Sequence, residues 1–91
     1  MTTLAILCKA RELVARDGGW AQHSYKTKDG ALCATGAIEE AQKMRITPLK
    51  YLRDAVGNNN VISWNDAKCR TQSQVVAAFD RAIELAKKEK K

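Results

Sequence analysis

Between Thr71 and Ala86, the apolar residues Val75, Val76, Phe79, Ala82, Ile83 and Ala86 recur at the spacing that gathers side chains on one helix face. A helix with one apolar face must bury it, so this stripe commits the chain to packing against other elements. Its start is marked as well. Thr71-Gln72-Ser73-Gln74 is a capping box, in which Thr71 and Gln74 each bond the other's backbone amide. Glu84 and Lys88 stand on the outer face in the favourable order for an ion pair. A second stripe, Ile6, Leu7, Ala10, Leu13 and Val14, predicts a first helix capped by Thr2 or Thr3. It runs to about Asp17 and ends at Gly18-Gly19.

Two shorter helices are expected between these. One spans Cys33 to Met44, with Cys33, Ala37, Ala41 and Met44 on one side and Ala34 and Ile38 beside them. The next begins at Thr47-Pro48, with Pro48 at the first helical position, turns Leu49, Leu52 and Val56 inward, and stops at Gly57. Asn58-Asn59-Asn60 reads as a turn, and Val61 to Trp64 fits either an extended bridge or a helical turn. Residues 20–32 are the least helical. The run Lys26-Thr27-Lys28-Asp29-Gly30 is turn-prone, and Ala31-Leu32 is placed to return as a second strand. The expected fold is mainly α. It is a compact four-helix single domain over residues 1–86, with a short β-hairpin or irregular segment after the first helix and a basic, frayed tail at 87–91.

Size and charge narrow the function classes. A chain of 91 residues makes one domain with little room for a deep substrate cavity. The longest apolar runs, Leu4 to Cys8 and Val75 to Phe79, are far too short to span a membrane. The start lacks the pattern of a signal peptide, so a cytoplasmic location is expected. Of the net charge of +6, half comes from Lys87-Lys88-Glu89-Lys90-Lys91. Such a tail attracts nucleic acid or acidic partners nonspecifically, and equally suits the negative pole of a helix end. Cys8, Cys33 and Cys69, even with His23 added, have none of the close spacings of a zinc site. They read as reduced thiols, and no cofactor or metal is expected.

Three constellations carry candidate chemistry. Cys33 heads a helix, where end amides and the dipole favour a thiolate. With His23 and Asn65 or Asp66 it completes a Cys-His-Asn or Cys-His-Asp set on paper. Its register with Ala37, Ala41 and Met44 argues instead for a small buried hydrophobe. Trp64-Asn65-Asp66 offers an aromatic platform and polar grip for a ligand, or a structural corner. Gly36, costly inside a helix, implies a close approach, with Trp20 or Trp64 filling the space above it. Residues 37–56 carry a partial helix-turn-helix pattern in Ala41, Ile46 and Thr47-Pro48, which projects Lys50 and Arg53 toward DNA. Arg45 at the turn and Asp54 at a core position depart from that motif.

Gly19-Trp20, Cys33-Ala34-x-Gly36-Ala37-Ile38, Ala41, Trp64-Asn65-Asp66, Thr71, Val75 and Asp80-Arg81-Ala82-Ile83 together resemble an uncharacterised family of small bacterial and bacteriophage proteins, catalogued as a domain of unknown function. The resemblance covers about residues 19–86, with residues 21–32 and the tail unmatched. It implies a compact helical domain of bacterial or phage origin and supplies no activity.

The expected function is a non-enzymatic binding or regulatory module for a protein or small ligand. Trp20, His23, Trp64, Asn65 and Asp66 are its candidate contacts. Two alternatives stay open: nucleic-acid binding through Lys50, Arg53 and the tail, and a thiol hydrolase or transferase using Cys33 as nucleophile.

Overall fold

A computed structural model describes residues 2–41 and 46–89 of the chain. The helices are α1 (Thr3–Ala15), α2 (Ala34–Ala41), α3 (Ile46–Val56), α4 (Val61–Asn65) and α5 (Gln72–Glu89). The architecture is mainly α, with four longer helices, the single-turn α4 and no strand among the described residues.

The two stripes meet as expected. Ile6, Leu7, Ala10 and Val14 of α1 are buried with Val75, Ala78, Phe79, Ala82, Ile83 and Ala86 of α5 in one core. Val76 and Leu13 lie at its margin. Besides α1, α5 packs chiefly against α3, whose Leu52 is fully buried. Arg11 and Asp80 form an ion pair across the exposed seam of α1 and α5.

Local chemistry sets the ends. The Thr2 hydroxyl accepts from the Ala5 amide at 3.1 Å, capping α1. Thr71 Oγ1 accepts from the Gln74 amide at 3.3 Å and Gln74 Oε1 from the Thr71 amide at 3.1 Å, the reciprocal pattern of a capping box. Glu84 reaches Lys87 at 3.5 Å rather than Lys88, one residue nearer than expected. α3 already includes Ile46 and Thr47, so Pro48 sits within the first turn instead of at its first position, where its missing amide is still harmless. Gly57 ends α3 with φ of +70°, and the amides of Gly57 and Asn58 both return to the Arg53 carbonyl. Asn60 then caps α4, its Oδ1 accepting from Ser63 at 3.0 Å, which resolves residues 61–64 as a helical turn.

Residues 20–32 form an irregular strap rather than a regular hairpin. Leu32 bridges to both Trp20 and Lys26, and the Thr27–Ala31 turn is closed by Thr27 N to Ala31 O at 2.9 Å. The strap lies over the start of α2. Met44 and Arg45, assigned to a helix and a turn from sequence, fall outside the described residues, as do Lys90 and Lys91. No helix among the described residues is long and apolar enough to cross a membrane.

Candidate functional site

α2 is buried on every side at its start: Cys33, Ala34, Thr35, Gly36, Ala37 and Ile38 are all inaccessible or nearly so. Small residues allow this. A Cβ at Gly36 would collide with the carbonyl oxygen of Tyr25, so the close approach is made by the backbone of the strap and not by Trp20 or Trp64. The Cys33 amide donates to that same Tyr25 carbonyl at 3.3 Å.

One side chain ties the strap, α2 and α4 together. Asn65 is 0% exposed. Its Oδ1 accepts from Trp20 Nε1 at 2.7 Å and from the Ala34 amide at 3.1 Å. Its Nδ2 donates to the Ala21 carbonyl and to Asp66 Oδ1, both at 3.0 Å. The amide is thus saturated, as a buried polar group must be to avoid a large desolvation cost. Gln22 adds a second tie, donating to the carbonyls of Asn65 and Ala67 at the end of α4. Trp20 and Asn65 therefore brace the fold from inside.

His23 and Asp66 lie above this brace. His23 has a left-handed backbone, φ +64°, and its amide donates to Asp66 Oδ1 at 2.8 Å. Its Nδ1 stands 3.7 Å from Asp66 Oδ2, and its ring is exposed. Burial pushes the Asp66 carboxyl upward, but the His23 amide, the Asn65 side chain and the His23 imidazole outweigh it and hold it below the ordinary carboxylate range. Together with Ser24, Tyr25, Cys33 and Ile62, the two residues line a shallow cavity of about 330 Å³.

Cys33 is the cap of α2, its sulfur accepting from the Gly36 amide at 3.2 Å. Cys33 is 3% exposed. Burial pushes its pKa up, against the amides of Gly36 and Thr35, and the Asp66 charge pushes the same way. The helix end that would favour a thiolate is outweighed. Cys69 is the exposed cysteine and Cys8 is half-buried. Among the described residues, no group of three or more His, Cys, Asp or Glu is placed to hold a metal ion.

A second cavity, of about 310 Å³, adjoins the first and shares Tyr25 and Ile62 with it. These two are large exposed hydrophobic residues, each 42% accessible. Thr35 and Arg53 also line this second cavity. Trp64 lines neither cavity; the Arg70 guanidinium lies 4.1 Å from its ring centre and donates to its carbonyl at 2.8 Å. Lys50 and Arg53 are exposed on α3, with Lys50 Nζ 5.7 Å from the Tyr51 ring centre.

Of the sequence candidates, His23, Asp66 and Cys33 thus converge on one cavity, while Trp20 and Asn65 support it and Trp64 stands apart. Tyr25, Ile62, Thr35 and Gln22 were not singled out as functional. Their only sequence signal is that Tyr25 and Ile62 fall outside the helical stripes.

Comparison with curated proteins and with solved structures gives no significant match. A family model does match, over residues 1–85, taking in α1 and the strap that the resemblance left unmatched. The chain belongs to that family, described as a family of unknown function (DUF6197).

Proposed function

We propose that this chain is a small non-enzymatic binding or regulatory protein, of bacterial or phage origin, that captures a protein segment or small ligand in the groove formed by its two adjoining cavities. The observation that carries the reading is the pair Tyr25 and Ile62, exposed apolar side chains shared by both cavities. Asp66 supplies a fixed negative charge on one side and Arg53 a positive one on the other. An aromatic and an aliphatic anchor between a few polar groups is the usual make-up of a binding site. Asn65 and Trp20 serve this reading as positioning residues, since they hold the strap that carries Tyr25.

A photocrosslinking amino acid placed in turn at Tyr25, Ile62 and the exposed Lys9 tests it. Capture of the same discrete species at the first two positions but not at Lys9 is expected. Identical adducts at all three positions, or none, would remove the groove as the contact surface.

One observation favours a thiol hydrolase or transferase as a second reading: Cys33, His23 and Asp66 share a cavity. Burial of the sulfur and its upward-shifted pKa weigh against it.

A further inference from the structure

The Thr35 hydroxyl sits in the first turn of α2, where Thr35 is 3% exposed, and Oγ1 has no hydrogen-bond partner among the described residues. A buried polar atom left unpaired is uncommon and calls for an explanation. Thr35 and the exposed Arg53 both line the second cavity. Arg53 makes no ion pair with any described residue, and no acidic side chain stands among the described residues that line this cavity. The apolar wall comes from Tyr25, Leu49, Val61 and Ile62, and the neutral amides Asn59 and Asn60 complete the lining.

We propose that this cavity is a site for a small organic carboxylate. The apolar body of the ligand lies against Tyr25, Leu49 and Ile62, and its carboxylate accepts from the Thr35 hydroxyl and the Arg53 guanidinium. A hydroxyl can donate to such an acceptor, and guanidinium matches a planar carboxylate with two parallel donors. The neighbouring cavity, with Asp66 in its wall, carries the opposite sign and repels the same group. The assignment rests on the reading of the groove as a binding surface and names the ligand chemistry of one half of it.

The test is a titration of the full chain with hexanoate, followed by amide and arginine side-chain NMR shifts, with hexanol and hexylamine as neutral and cationic counterparts. Hexanoate is expected to saturate, at a dissociation constant of about 1 mM or tighter, with the largest shifts at Thr35, Arg53 and Val61. Arg53→Gln, on the surface, should weaken binding about tenfold. Thr35→Val keeps the side-chain shape and should weaken it severalfold, while Thr35→Ser restores it. Absence of saturable shifts overturns the proposal. So does hexanol binding as tightly as hexanoate, or folded Arg53→Gln protein binding like the parent. If hexanoate fails while Tyr25 and Ile62 still capture a partner by crosslinking, the carboxylate assignment falls and the groove reading stands. Failure of both removes the groove itself.

Discussion

Replacing Asn65 probes the joint on which the groove depends. Asn65→Ala removes four hydrogen bonds and strands three partners: Trp20 Nε1, the Ala34 amide and the Ala21 carbonyl. The Ala34 amide is buried and so incurs the larger part of the penalty, about 1–3 kcal/mol, while the other two partly recover water. The sum is roughly 2–5 kcal/mol. A 91-residue domain has roughly 5–13 kcal/mol in total, so the variant stays folded only marginally. Asn65→Asp is the sharper probe because it keeps the shape and the accepting Oδ1. Its second oxygen replaces a donor and faces the Ala21 carbonyl and Asp66 Oδ1, two acceptors. That environment raises the introduced carboxyl's pKa in the folded state above its unfolded value. The variant's deficit is then full above the raised pKa and shrinks as pH falls toward the unfolded value, when protonation restores a donor. Urea unfolding of parent and both variants at neutral and mildly acidic pH, followed by circular dichroism and tryptophan fluorescence, reads this directly. The Asn65→Asp deficit should narrow on acidification while the Asn65→Ala deficit stays level. Equal, pH-independent deficits, or a cost under about 1 kcal/mol for Asn65→Ala, would refute the saturated-amide account.

Gly36→Ala should destabilise by about 1–3 kcal/mol in denaturant melts, because the backbone oxygen of Tyr25 cannot swing aside and helix propensity regains less than the overpacking costs; a more stable variant would show that the strap is not held there. Asp66 has a lowered pKa in the fold, so its stabilising contribution is present above the unfolded value and lost as pH falls through the folded one. Asp66→Asn should flatten the acid side of the stability profile measured by urea melts; an unchanged profile contradicts the His23 and Asn65 contacts. Pulsed alkylation with mass-spectrometric readout should modify Cys69 first, Cys8 next and Cys33 last. Cys33 reacting as fast as Cys69 at neutral pH would transfer weight to the thiol reading.

The helices were legible because their signals are local. The stripe through Val75 and Phe79, the Thr71 and Gln74 box and the Gly57 stop each depend on residues within a few positions of one another. Residues 61–64 stayed undecided because a single turn is too short for periodicity, and the Asn60 cap that settles it is also a common turn residue. The groove was harder to read. His23 and Asp66 were singled out, but Asn65 and Trp20 belonged to the same list, and only their burial separates the brace from the exposed face.

What the sequence determined by itself is a mainly α chain with two amphipathic faces that must pack together, since hydrophobic period and capping chemistry act over three or four residues. What the tertiary structure alone decided is the strap seated on α2 through Gly36, the saturated Asn65 and the unpaired Thr35 hydroxyl. These depend on contacts between residues up to 45 positions apart, such as Trp20 with Asn65, and no local pattern specifies which polar group will meet a partner once both are buried.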